Sequence, residues 1–192
     1  MSTSLPAKLL TLVLLFALPL ASSAAEPASL EFRDETFELA FVNVNRQGNF
    51  NEIINEYIPE GEGLEEWSSM LSVRKYPGRT DYRELADNVL KALKQQNPLA
   101  PSAKHTSADG KRQMIDFITW DATQDIVEFN VFIYELGTDG KSIIAQQYAQ
   151  RAYGRDEGRE FLTKMKQLRV PLLEAVGKFK FPKITTEQPA AE

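Results

Sequence analysis

Cysteine is absent from this chain of 192 residues, and histidine occurs once. The first absence excludes a cysteine nucleophile, a disulfide framework, thiolate zinc sites and iron-sulfur ligation. A lone histidine excludes any site built from several imidazoles. Basic residues are also in the minority, 22 Lys and Arg against 27 Asp and Glu for a net charge of −5. A general binder of the nucleic-acid backbone needs a basic surface, so nucleic acid is not expected as a partner. Two catalytic loops are missing as well: Gly61-Glu62-Gly63 lacks the third glycine of a phosphate-binding loop, and no G-x-S-x-G elbow occurs. What remains, 43% apolar and 26% charged residues, is the composition of an ordinary globular protein.

The only long apolar run is Leu9 to Leu20 (LLTLVLLFALPL), broken by Thr11 and Pro19 and preceded by Lys8. It is too short to span a bilayer as a mature helix and has the form of a signal-peptide core. Ala21, Ser22, Ser23, Ala24 and Ala25 follow, so small residues precede a cut after Ala24 or Ala25. Residues 1–25 are therefore expected to be removed, the rival being an uncleaved anchor. Processing would take away Lys8 and no acid, leaving a more acidic chain in the periplasm or outside the cell. A cysteine-free domain of this size can be stable there on its core alone.

Residues 26–35 read as a polar lead-in, 36–181 as one domain and 182–192 as a flexible tail. Phe37, Leu39, Phe41 and Asn43 alternate with Glu38, Ala40, Val42 and Val44, which is strand periodicity. Gln47, Gly48 and Asn49 turn the chain into a second strand, Phe50 to Ile58. Leu64 to Ser68 suits one helical turn and Met70 to Tyr76 a third strand. Leu85, Ala86, Val89, Leu90 and Leu93 recur at helical spacing behind an Asp81 cap, with Glu84 three positions on. The stretch Asn97 to Gly110, rich in Pro, Ser and Ala, reads as a loop. Arg112 to Trp120, Ile126 to Leu136 and Ser142 to Tyr153 read as three more strands, with Gly137 to Gly140 turning between the last two. Asp156 is placed as the cap of a final helix with an apolar stripe of Phe161, Leu162, Met165, Leu168, Leu172, Leu173 and Val176, which Pro171 should kink or restart. The expected fold is α+β: an antiparallel sheet of about six strands with two main helices packed on it, strand-strand-strand-helix twice.

The segment Tyr57-Ile58-Pro59-Glu60-Gly61-Glu62-Gly63-Leu64-Glu65-Glu66-Trp67-Ser68-Ser69-Met70-Leu71-Ser72-Val73 resembles a pattern of small uncharacterised bacterial exported proteins, in which a Pro/Gly/Glu loop leads to a Trp and a strand. The order of elements over residues 36–178 is similar to that of the PsbP-like α/β/α sandwich family, known from an extrinsic photosystem II subunit and from envelope proteins. The resemblance implies a non-enzymatic assembly or binding module and transfers no catalytic residue.

Several groups of residues could carry chemistry. Glu56, Glu60, Glu62, Glu65 and Glu66 offer oxygen ligands for a hard cation, although their spacing is not that of an EF-hand loop and also suits a solvated acidic loop. His105, beside Lys104 and four residues before Asp109, is the first suspect for a general base. Asp116 with Asp121, or Glu128 with Glu135, could pair as hydrolytic carboxylates if the fold formed a cleft between them. The strand at 126–136 is apolar on both faces, with Ile126, Phe132 and Tyr134 opposite Val127, Phe129, Val131 and Ile133, so both faces must be covered. The last strand mixes Gln146, Gln147, Gln150 and Arg151 among Tyr148 and Tyr153. The candidate ligand or partner surface is accordingly Trp67, Tyr76, Trp120, Phe132, Tyr134, Tyr148, Arg151 and Tyr153. The basic run of Arg151, Arg155, Arg159, Lys164, Lys166, Arg169, Lys178, Lys180 and Lys183 suits either an anionic partner or the wet face of a helix. The expected function is that of an exported accessory or binding module without cofactor, its partner an envelope protein or a small apolar ligand. A carrier with an aromatic-lined pocket and a hydrolase using carboxylates or His105 are the alternatives.

Overall fold

The computed structural model describes residues 29–47 and 50–186. The expected signal peptide and the Gly48–Asn49 turn lie outside the described residues. The chain runs β1 (Ser29–Phe32), β2 (Glu35–Gln47), β3 (Phe50–Pro59), β4 (Ser69–Pro77), α1 (Tyr82–Gln96), β5 (Ser102–Thr106), β6 (Arg112–Trp120), β7 (Ile126–Leu136), β8 (Ser142–Tyr153) and α2 (Arg155–Lys178). All the strands join one antiparallel sheet in the order β1-β2-β3-β4-β8-β7-β6-β5. This overturns the expected PsbP-like sheet of about six strands, since the described residues hold eight and each helix follows four of them. Of the described residues strand accounts for 47% and helix for 25%, so the fold is sheet-dominated.

The two strands missing from the sequence reading are β1 and β5. The first lies in the stretch read as a polar lead-in, where Leu30 and Phe32 are its only buried residues. Its hairpin to β2 turns on Arg33 (φ 53°) and Asp34 (φ 66°), a left-handed pair with none of the usual Asn-Gly chemistry to announce it. The second, β5, is an edge strand with no buried residue. An exposed edge strand needs no apolar alternation, so its sequence SAKHT reads as loop. A third departure lies within β2, where the register slips between Leu39 and Phe41. This bulge puts Val42 rather than Phe41 on the side of Phe37 and Leu39 and breaks the simple alternation.

Alternation along β7 explains the rest of the architecture. Phe129, Val131 and Ile133 point to one face, where Tyr57, Leu71 and Tyr148 join them under Met165, Leu172 and Val176 of α2. Phe132 and Tyr134 point to the other face, where Tyr76, Ile115, Ile143 and Ala145 pack against Ala86 and Leu93 of α1. Phe32 closes one end of the first core, its ring centroid 5.0 Å from both Tyr148 and Phe179. Helix α1 starts as its sequence suggests, Asp81 Oδ1 accepting from the amides of Arg83 (3.1 Å) and Glu84 (2.9 Å).

Helix α2 starts differently. Its cap is Gly154 at φ +89°, with no side-chain bond, and Asp156 lies inside the first turn. Glycine is needed at that dihedral. A second glycine, Gly158, lets α2 approach β7, because an added Cβ would stand 3.0 Å from Val127 Cγ2. The helix then runs past Pro171 as one element. Pro171 and Gln167, whose carbonyl it cannot serve, are both exposed, so solvent can take over that bond. Among the described residues no helix is long and apolar enough to cross a membrane. Residues 182–186 lie against the sheet, with Asn55 donating to the Thr185 carbonyl (2.9 Å) and accepting from its amide (2.7 Å).

The β7–β8 turn supplies a pH prediction. Asp139 accepts from the Lys141 amide (2.9 Å), pairs with Lys75 (2.9 Å) and accepts from Ser142 Oγ (2.8 Å), contacts that hold its carboxyl well below the usual range. A depressed folded-state pKa adds stability that is present above the unfolded value, about 3.9, and fades as pH falls through the folded one. Asp139→Asn is therefore expected to lower the urea midpoint at pH 7 and to differ less from the parent at pH 3. An equal offset at both pH values would rule the mechanism out.

Candidate functional site

Strand β6 places Met114, Asp116 and Ile118 toward α2, so a carboxylate stands in a row of apolar side chains. Helix α2 answers with Arg169, four residues after Met165 and three before Leu172, on the stripe that faces the sheet. The guanidinium grips Asp116 with both arms, Nε donating to Oδ2 at 2.6 Å and NH2 to Oδ1 at 2.8 Å. The bond to Asp116 raises the arginine pKa further. His105 reaches the same carboxylate from β5, Nε2 lying 3.4 Å from Oδ1. The Asp116 side chain is 3% exposed and that of His105 50%.

Beside this cluster, between α2 and the β6 side of the sheet, lies a cavity of about 620 Å³. Pro101, Ile118, Phe129, Leu162 and Met165 give it apolar walls, while Asp116, Lys166 and Arg169 form its polar side. Lys166 is exposed and makes no hydrogen bond or ion pair with the described residues, so it adds a positive charge beside the balanced Asp116–Arg169 pair.

A second concavity, about 370 Å³, opens on the opposite face of the sheet, across β3, β4 and β8 where α1 does not reach. The side chains there are linked in series. Arg74 pairs with Glu52 (3.5 Å) and Glu56 (3.3 Å) and donates to Gln147 Oε1 (3.4 Å). Gln147 donates to Asn130 (2.8 Å), Asn130 to Glu128 Oε1 (2.7 Å), and Arg151 Nε to Glu128 Oε2 (2.6 Å). The Arg151 guanidinium lies 3.8 Å over the Trp67 ring. Tyr153 ties down the backbone of Trp67, its hydroxyl accepting from the Trp67 amide and donating to its carbonyl, both at 3.0 Å. Burial raises the Glu56 pKa, only partly offset by Arg74 and Arg151.

The sequence candidates are thus divided among three places. Trp67, Arg151 and Tyr153 come together at the polar groove. Tyr76, Trp120, Phe132 and Tyr134 pack in the core under α1, and Tyr148 packs under α2 on the other face. Of the acidic loop, Glu56 enters the groove, Glu62 binds the amide and hydroxyl of Ser68 (2.6 and 2.7 Å), and Glu60, Glu65 and Glu66 are exposed. Among the described residues no three His, Asp or Glu side chains are placed to hold a metal ion. The carboxylate pairs do not converge. Asp121 caps the β6–β7 turn through the Ile126 amide (2.9 Å), Glu128 lies in the groove, and Glu135, an odd number of residues away, faces the other side. Asp109 serves its own turn, bound by Ser107 and Lys111, and Asp116 is the acid beside His105.

Sequence reasoning missed the Asp116–Arg169 pair although its signal was present: a lone acid on the inner face of a strand and a lone base on the inner stripe of a helix. Counting Arg169 with the other bases of α2 hid its position. Comparison with known proteins adds one finding, a family model that matches residues 24–181. The chain belongs to that uncharacterised family. The family's span contains every residue of both concavities and stops short of Thr185. No curated protein and no solved structure matches the chain, so the PsbP-like resemblance gains no counterpart.

Proposed function

We propose that this protein is an exported, periplasmic binding module that performs no chemistry of its own and holds a small, largely apolar molecule beneath α2. The cavity of about 620 Å³ carries this reading, because apolar walls with a few converging polar groups are the usual form of a small-molecule site. Export rests on the apolar run at Leu9 to Leu20 and the small residues after it. A hydrolase has one observation in its favour, the 3.4 Å approach of His105 to Asp116. Against it, Arg169 already occupies both oxygens of that carboxylate, and the other acids are spread over separate turns and faces.

Leu162, partly exposed at the rim of the cavity, allows a test that spares the deeper core. An apolar fluorophore such as anilinonaphthalene sulfonate is expected to bind the intact protein saturably, and Leu162→Trp to weaken it by about tenfold or more. Native mass spectrometry of protein purified without denaturation is expected to find a small apolar molecule that detergent removes. Absence of saturable probe binding, or binding indifferent to Leu162→Trp, would overturn the reading.

A further inference from the structure

We infer that the cavity beneath α2 takes a single-chain carboxylate, a fatty-acid-like amphiphile whose head rests between Lys166 and Arg169. The inference rests on the apolar reading of that cavity and adds the charge and the length of the ligand. The charged residues lining the cavity are Asp116, Lys166 and Arg169, so bases outnumber acids there by two to one. Arg169 holds both oxygens of Asp116, and His105 beside them contributes either no charge or a positive one. The walls are left with one positive charge to balance, which a monoanion matches and a cation does not.

Lys166 is the surplus charge. Other bases on α2 have an acid one turn away: Arg159 pairs with Asp156 (2.8 Å), Lys164 with Glu160 (2.7 Å) and Lys178 with Glu174 (3.8 Å). At the same spacings from Lys166 stand Leu162, Thr163, Arg169 and Val170, so its helix offers it no carboxylate and sets a second cation beside it. Arg169 also has donors to spare. A guanidinium carries five N–H groups, and Asp116 takes one from Nε and one from Nη2, which leaves the Nη1 pair and the outer Nη2 hydrogen. One hydrogen from each of those nitrogens lies parallel to the other, in the fork that grips a carboxylate. Ser102, which lines the cavity from β5, adds an exposed hydroxyl that makes no hydrogen bond with the described residues.

The remaining walls suit an acyl chain. Pro101, Ile118, Phe129, Leu162 and Met165 present carbon, so each methylene buried against them adds to affinity. At roughly 30 Å³ per heavy-atom group, the share of a water in the liquid, a cavity of about 620 Å³ holds about twenty such groups. That is one acyl chain with its head, and the two chains of a phospholipid would not fit.

The intact protein should be titrated calorimetrically with decanoate, 1-decanol, decyltrimethylammonium and anionic phospholipid vesicles, each alone and the single chains below their micelle concentration. Decanoate is expected to bind saturably and about tenfold more tightly than decanol, with the ammonium weakest and the vesicles silent. Lys166→Glu, a change to an exposed side chain, should keep the circular-dichroism spectrum and the decanol affinity and abolish the advantage of decanoate. Raising the salt should shrink that advantage in the parent protein. Leu162→Trp should weaken both chains. Equal affinity for decanoate and decanol, or an advantage that survives Lys166→Glu or that salt leaves untouched, would overturn the inference and leave the apolar cavity standing. Saturable binding of neither chain would remove the cavity reading and this inference with it. Vesicle binding that persists in Leu162→Trp would mean that the bases meet a membrane surface instead, and would also overturn it.

Discussion

Replacing Arg169 by methionine is expected to lower the free energy of unfolding by about 3 kcal/mol, because it strands a buried carboxylate. Asp116 has 3% of its side chain exposed, and among the described residues only Arg169 and, at 3.4 Å on the rim, His105 stand within ion-pair distance of it. Arg169 itself is partly exposed, which places the expectation at the low end of what breaking a buried pair costs. The control removes the charge as well as its partner: Asp116→Leu combined with Arg169→Met should return to within about 1 kcal/mol of the parent. Urea unfolding followed by circular dichroism measures both. A single Arg169→Met variant within about 0.5 kcal/mol of the parent would mean that the carboxylate finds water on its own and that the pair is incidental.

Leu172→Ala should cost a similar amount, about 3 kcal/mol, for an unrelated reason. Leu172 is fully buried midway along α2, among the side chains of Phe129, Val131, Met165 and Val176 that form the core on that face. Removing three carbons there opens a void in the contact that fixes the helix to the sheet. The melting temperature is expected to fall by roughly 6–12 °C for a domain of this size. Leu168→Ala, one turn earlier and 36% exposed, should change it little. Equal effects at the two positions would mean that α2 is not seated on the stripe of Met165, Leu172 and Val176.

Long apolar strands and an amphipathic helix were legible in advance. The bounds of β6, β7 and β8 follow from period-two patterns between clear turns, and α1 from its Asp81 cap and the spacing of Leu85, Ala86, Val89 and Leu93. The edges of the sheet were not legible, because β1 buries only two side chains and β5 none. Nor was the division of the aromatic residues. Strand parity correctly separates Phe132 and Tyr134 from Phe129 and Val131, but only the tertiary arrangement tells that α1 covers the first pair while the neighbouring Glu128, Asn130 and Gln147 remain beyond its reach. Trp67, Arg151 and Tyr153 share the groove because β4 pairs with β8, a contact between residues some eighty positions apart that no local pattern encodes.

That pairing also bears on how the molecule is made. The sheet consists of two sequential meanders, β1 to β4 and β5 to β8, sealed by β4 against β8 from Ser69↔Gln150 to Pro77↔Ser142. A chain emerging from its amino terminus can fold the first meander early, yet that half keeps an unpaired edge along β4 until Tyr153 has been synthesised. Closure must then overcome a large loop entropy before its contacts are gained, so it is a slow, late step. Until then a nascent chain keeps that edge unpaired and accessible to a chaperone.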